Sequence, residues 1–196
     1  MLSELFFDVE TTGLPVRNAN PKDQESFSKC RLVSIAWVLR DESTVYSQKY
    51  YVVDTGENGE SVGASHIHGV TRKILDRYGN KVMDVLEDFM KDFRRSNILI
   101  AHNMDFDKNV VCSELFRLGM DEEANEILNC PKLCTMKSTT DICRIESKWG
   151  TSYKWPKLVE LNKFLFDEEF KNQHHAMADV DATVECYYEL KRRNML

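Results

Sequence analysis

No run of residues in this chain approaches the ~20 consecutive apolar positions that a membrane span requires. Met1-Leu2-Ser3-Glu4 puts an acid where a secretory leader wants positive charge. A basic excess is missing too: 26 Lys and Arg stand against 32 Asp and Glu, for a formal net charge of −6. That balance argues against a protein that grips nucleic acid mainly through a basic surface. It leaves room for an enzyme whose metal ions neutralise phosphate locally. The cysteines, at 30, 112, 130, 134, 143 and 186, do not form the compact disulfide framework of a small secreted domain. Cys130, Cys134 and Cys143 lie near one another in sequence, but no histidine or fourth cysteine completes a zinc site. Reduced thiols in a cytoplasmic protein without membrane association are the expectation.

What is present is ordinary for a soluble globular protein: 42% hydrophobic and 30% charged residues. A length of 196 residues suits one domain, spanning 1–196.

Residues 4–10, Glu-Leu-Phe-Phe-Asp-Val-Glu, predict a buried first strand. Leu5, Phe7 and Val9 share one face; Phe6, Asp8 and Glu10 share the other. Two acids at i and i+2 lie roughly 7 Å apart on a strand, and they repel unless a cation sits between them or water reaches them. Thr11-Thr12-Gly13 then turns the chain, and residues 14–30 form a polar loop long enough to be functional or mobile. Residues 31–40 and 44–53 flank Asp41-Glu42-Ser43 as a β-hairpin. The segment from Asp54 to Ser65 and the following His66-Ile67-His68-Gly69 read as loop with exposed histidines. Apolar spacing predicts a helix over 81–95.

Ile98-Leu99-Ile100-Ala101 suits a central parallel strand, and a helix should begin near Asp105. On it Asp107, Val110, Val111, Leu115 and Leu118 face inward. Asp105, Lys108, Asn109 and Cys112 face a polar side, with Asp105 as capping or dipole-stabilising acid. Strand ends that enter helices are where open α/β sheets place ligands. A short helix or turn at 121–130 and a short strand at 133–136 follow. Residues 137–155 look irregular, with Trp149, Tyr153 and Trp155 among lysines. Such aromatics can stack bases, but anchoring the loop on the core is the more common use. Pro156 suits the first turn of a helix through Leu158, Leu161 and Leu165.

The last forty residues bring the acids into one argument. From Asp179, positions 182, 183, 186, 187 and 190 continue one helical face with Ala, Thr, Cys, Tyr and Leu. Asp179 therefore starts an inward stripe, where a carboxylate is costly unless paired or metal-bound. Asp8 with Glu10, Asp107 and Asp179 come from three separated segments. Converging in one cleft, they would be destabilising without divalent cations. Hard oxygen ligands favour Mg²⁺ or Mn²⁺. Two such ions roughly 3.5–4 Å apart can hold the attacking and leaving oxygens of phosphoryl chemistry, and a nearby histidine could take a proton from water.

Phe7-Asp8-Val9-Glu10-Thr11-Thr12-Gly13, Ala101-His102-Asn103-x-x-Phe106-Asp107 and His174-x-Ala176-x-x-Asp179 resemble the three motifs of the DEDD superfamily of 3′–5′ exonucleases, histidine subgroup (DEDDh). That group includes the proofreading epsilon subunit of bacterial DNA polymerase III, ribonuclease T and oligoribonuclease. The resemblance implies an α/β, ribonuclease H-like fold with a mixed five-stranded sheet flanked by helices. It implies two divalent cations held by Asp8, Glu10, Asp107 and Asp179, with His174 as general base. His175 does not fit the motif's register. It further implies that the Thr11 and Thr12 amides at the Gly13 turn meet a 3′-hydroxyl, and that Leu14 wedges against the terminal base. Asn103, Phe106 and His68 would lie near substrate, His68 within a His-Gly-Val-Thr segment. Cys134-Thr135 departs from the Asp-Thr of some relatives. The implied partner is a nucleic-acid 3′ end, single-stranded DNA ahead of RNA, with a DNA polymerase or repair protein as a further candidate.

Overall fold

The computed structural model describes residues 3–56, 62–148, 150, 152–168, 170 and 173–196. Trp149, and residues 57–61 of the expected loop, lie outside the described residues. In chain order the elements are β1 (Glu4–Thr11), β2 (Leu32–Arg40), β3 (Val45–Asp54), α1 (Ser65–His68), α2 (Arg72–Tyr78), β4 (Gly79–Lys81), α3 (Val82–Phe93) and β5 (Ile98–Ala101). They continue with α4 (Met104–Arg117), α5 (Asp121–Asn129), β6 (Lys132–Cys134), α6 (Thr135–Ser138), α7 (Thr140–Cys143), α8 (Leu158–Phe166) and α9 (Ala176–Arg192).

The strands form one mixed sheet in the order β4-β3-β2-β1-β5-β6. β1, β2 and β3 are antiparallel neighbours, whereas β5 runs parallel to β1 and β6 parallel to β5. This is the expected α/β architecture with one strand more than the five expected. The addition is β4, three exposed residues paired parallel to the end of β3. A segment that short carries no apolar alternation, so nothing in its sequence announces a strand. The hairpin turn is built by Asp41, whose carboxylate Oδ1 accepts from the Ser43 and Thr44 amides at 2.9 and 2.8 Å.

Alternation along β1 sorts the core. Leu5, Phe7 and Val9 join Trp37, Leu86, Phe89, Val110 and Val111 under α3 and α4. Phe6 packs with Ala36, Val38 and Ile100 against Val180, Val184 and Tyr187 of α9, its ring edge-on to Tyr187 at 5.2 Å. Burying each such side chain is worth about 1.5–3 kcal/mol. The packing fixes α9 across β1 and β2, while α8 lies on α9 through Leu161, Leu165, Cys186 and Leu190.

The polar loop at 14–30 is stitched down. Phe27 and Cys30 reach the core, Gln24 donates to the Ser113 carbonyl at 3.2 Å, and Thr12 Oγ1 donates to the Lys29 carbonyl at 3.1 Å. Its end is locked by Arg31, whose guanidinium grips the buried Glu114 carboxylate at 2.8 and 3.1 Å. Glu114 also accepts the Leu32 amide at 3.2 Å.

Several local expectations are corrected. Cys112 is buried, because α5 covers the face of α4 that reads as polar, and its thiol donates to the Ala124 carbonyl at 3.7 Å. Asn103 caps α4, so Asp105 sits inside the first turn and acts on the helix dipole. The strand expected at 133–136 ends at Cys134, Thr135–Ser138 form a helical turn that runs into the stretch read as irregular, and Thr140–Cys143 form another within it. Pro156 stands before the Lys157 cap, outside α8. His68 closes α1 and is buried, not exposed. Among the described residues no helix is long and apolar enough to cross a membrane.

Candidate active site

β1 outruns its parallel neighbour. Its pairing with β5 covers Glu4–Phe6 only, while β1 continues to Thr11. Beyond that point the Val9 amide takes a side-chain acceptor: Asp107 Oδ1, at 3.2 Å. Asp107 is 2% exposed and comes from the first turn of α4. One hydrogen bond thus ties the second acidic segment to the strand carrying Asp8 and Glu10.

The third segment arrives with α9. Asp179 lies in its first turn, where the helix dipole favours an anion. Its Oδ2 accepts the His174 amide at 3.0 Å, and its own amide donates to the His175 carbonyl at 3.1 Å. His174 has φ +63°, the left-handed conformation that reverses the chain just before the helix. One donor atom each from Glu10, His174 and Asp179 lies within 4.8 Å of the other two. His175 turns away and stacks on Tyr50, with ring centroids 4.8 Å apart.

The electrostatics follow from this crowding. Asp8 is held well above the usual carboxylate range by burial, then by Asp107, Asp179 and Glu10. Asp107 is also raised well above it by burial, against the opposing pull of the Val9 amide. Burial followed by Asp179 pushes Glu10 up to about 8. Burial raises Asp179 to about 6, opposed by His174. Among these four acids the groups that pull the values down are His174 and backbone amides, so like charges face one another with little compensation. That donor set, oxygen-rich and mutually repelling, fits divalent cations.

The acids line one side of a cleft of ≈ 580 Å³ that also holds His174, Asn103 and Phe106. Its lining also includes Trp155, Pro156, Lys157 and Phe170. Trp155 is 60% exposed, so it does not anchor its loop on the core. His102 does that work instead. Its Nε2 donates to the Pro156 carbonyl and its Nδ1 accepts from Thr135 Oγ1, both at 3.0 Å. A carbonyl can only accept, which fixes this tautomer. Burial pulls His102 down to about 4, keeping it neutral. Sequence reasoning gave His102 no role; the signal available was its place between Ala101 and Asn103 at a strand end.

Other expected contacts lie outside the cleft lining: Thr11, Thr12, Gly13, Leu14 and His68. The Thr12 amide is not free to meet a hydroxyl, because it donates to the Arg31 carbonyl at 2.9 Å as the pairing with β2 continues past a bulge. Gly13 is required sterically, since a Cβ there would stand 2.7 Å from the Lys29 carbonyl. Leu14 is 78% exposed. Both His68 nitrogens are engaged, Nδ1 by the Val70 amide at 3.1 Å and Nε2 by the Gly63 carbonyl at 3.0 Å. Gly63 in turn packs on the Thr12 carbonyl so closely that a Cβ would lie 2.2 Å from it. His68 therefore buttresses the turn from behind. A second depression of ≈ 250 Å³, bordered by Pro15, Val16 and Arg17, shares Asn103 and Phe106 with the cleft.

Comparison with known proteins gives a consistent picture. A family model described as exonuclease matches residues 5–187. No curated protein matches the sequence. Among solved structures, an exonuclease I described in terms of its processivity superposes with TM-score 0.75 at 18% identity, covering 100% of this chain and 42% of that one. Escherichia coli exonuclease I in complex with a dT13 oligonucleotide gives 0.70 at 18% identity, over 99% of this chain and 42% of that one. A moderately thermophilic exonuclease I from Methylocaldum szegediense gives 0.69 at 18% identity, over 98% and 41%. The chain thus spans about two fifths of the length of these relatives.

Proposed function

Because this chain belongs to the exonuclease family, we propose that it hydrolyses single-stranded nucleic acid from the 3′ end, DNA ahead of RNA, releasing nucleoside 5′-monophosphates. The observation that carries this reading is the convergence of Asp8, Glu10, Asp107 and Asp179 from three segments, with His174 beside them at the cleft.

Asp8, Glu10 and Asp179 would hold one divalent cation, and Asp8 with Asp107 a second. Mg²⁺ or Mn²⁺ suits these oxygen ligands. Bound there, the ions supply a water of lowered pKa and neutralise charge developing on the phosphate. The chain's own part is positional. Asp107 fixes α4 to β1 through the Val9 amide, so the two acidic segments keep their spacing. Asp179 holds the His174 turn. The exposed His174 ring takes the proton from the attacking water and returns it to solvent. Burial of the acids keeps competing water away from the scissile phosphate. An unpaired end is favoured because the acids sit inside a cleft that a duplex end does not enter.

The test is one gel. Single-stranded DNA, duplex DNA with a 3′ mismatch, and RNA of the same sequence, each labelled at the 5′ end, are incubated with Mg²⁺, Mn²⁺ or a chelator. Asp8→Ala protein runs beside them. A metal-dependent ladder shortening from the 3′ end, absent in the variant, is expected, with single-stranded DNA degraded fastest. Rapid loss of RNA with little of DNA would reverse the substrate assignment, and no degradation with either ion would end the proposal.

A further inference from the structure

The cleft is lined by residues of two unlike kinds, and only the acids are accounted for by hydrolysis. The others include a strap, residues 155–157, that leads into α8. Two anchors from different elements hold it. His102, at the end of β5, donates to the Pro156 carbonyl at 3.0 Å while Thr135 fixes its other nitrogen. Lys137 of α6 places its ammonium 5.8 Å from the centre of the Trp155 ring. Lys137 is itself held by Asp105, in the α4 turn that also carries Phe106 and Asp107. The outcome is a large aromatic side chain that is fixed at its base yet 60% exposed, lining the same cleft as the acids.

Such an arrangement is costly without a ligand. An exposed indole forgoes the burial that indole rings gain in cores. The strap also gathers positive charge in a chain of net charge −6: Lys137 beside the ring, and Lys157 in the cleft lining. A π-face with an ammonium group beside it, lining the same cleft as the acids, matches one chemical class, a nucleobase on a single strand whose phosphates pass the lysines. Every base has a π-face, so such a platform accepts any sequence.

We propose that Trp155 is a stacking platform for a base of the entering strand, with His102 as the positioning residue that holds the strap. This rests on the exonuclease reading and adds a substrate-binding residue to it. Trp155 grips the strand before chemistry and touches no reacting atom, so its loss acts on KM and not on kcat.

Trp155→Ala is expected to raise KM for a single-stranded oligothymidylate about ten-fold, within the range of base–aromatic stacking, with kcat almost unchanged. Trp155→Phe restores most of the loss, because a ring remains. The thermal midpoint stays put, since the side chain is exposed. His102→Ala gives a KM rise similar to Trp155→Ala, and the double variant is no worse than either single one, as expected of residues acting through one contact. Dissociation constants for a fluorescently labelled oligothymidylate, read by anisotropy in the presence of Ca²⁺, give a parallel scale that does not depend on turnover. If the wild-type protein degrades nothing, the proposed function fails, and the anisotropy comparison still decides on Trp155. Unchanged KM and unchanged Kd in Trp155→Ala would overturn the inference, as would Trp155→Phe being no better than Trp155→Ala.

Discussion

Removing divalent ions should make the protein less stable as pH rises, and the structure sets the size of the effect. Glu10 is raised to about 8 from an ordinary value of 4.5. A raised carboxylate binds its proton more tightly in the folded state than in the unfolded one. It therefore costs nothing below about pH 4.5, and stability is lost as pH climbs toward about 8. Buried histidines act in the opposite sense below about pH 6.5, because the unfolded chain then takes up protons that His102, at about 4, refuses. The window is thus about pH 6.5 to 8, where the opposing uptake by unfolded His102 is at most half complete and fades as pH rises, and Asp179, at about 6, is mostly ionised. Across it one fully shielded group would contribute about 2 kcal/mol, at about 1.4 per pH unit. Glu10 is partly exposed, so solvent screening reduces this to about 1 kcal/mol. For a chain of this size that lowers the melting temperature by about 2–4 °C, and Asp8 and Asp107, also held well above the usual carboxylate range by burial, act in the same direction. Circular dichroism melts in a chelator and in Mg²⁺ read it directly. In Mg²⁺ the ions replace the protons, so the stabilisation they give grows with pH. Glu10→Gln should flatten the chelator slope. A melting temperature that is level or rising in the chelator over this window would refute the reasoning. So would a Mg²⁺ shift of equal size at both ends.

Other predictions are independent of that slope. Asp8→Asn should abolish turnover, by about a thousand-fold or more when a metal ligand is lost, while raising the chelator melting temperature near pH 8, since a repelling charge is gone; steady-state rates and melts check both. His174→Ala should lower kcat by about 10²- to 10⁴-fold as the general base is removed, read from steady-state rates. Glu114→Ala should cost about 3–5 kcal/mol, because it breaks the buried ion pair with the Arg31 guanidinium; urea unfolding measures it.

Legibility in the sequence tracked the range of the interactions involved. Period-two alternation in β1 and the 3.6-residue stripe of α9 report burial directly, so the two core faces and the inward direction of Asp179 could be read from the chain. Cys112 could not, because its face of α4 reads as polar until α5 folds over it. β4 was hidden for a different reason: three exposed residues hold their place through backbone pairing, which leaves no side-chain pattern. Within the site, the motifs named the acids, but a motif records residue identity and not hydrogen bonds. The engagement of the Thr12 amide by Arg31 depends on pairing between two segments, and that of both His68 nitrogens on how the short turn from Gly63 to Val70 closes, neither of which residue identity encodes. The exposure of Trp155 was likewise invisible, since the pattern of aromatics and lysines is the same whether the ring points in or out.

The unequal reach of β1 and β5 has a consequence for how this site exists at all. Pairing between them stops at Phe6 and Ile100, and β1 runs on to Thr11. The acids stand in that notch, where the sheet has left backbone donors without a strand to receive them. Had β5 continued by two or three residues, main-chain carbonyls would have taken the position now held by Asp107, and the sheet would have closed over it. The chemistry thus occupies hydrogen-bonding capacity that the sheet did not use, and its depth is set by where one short strand ends.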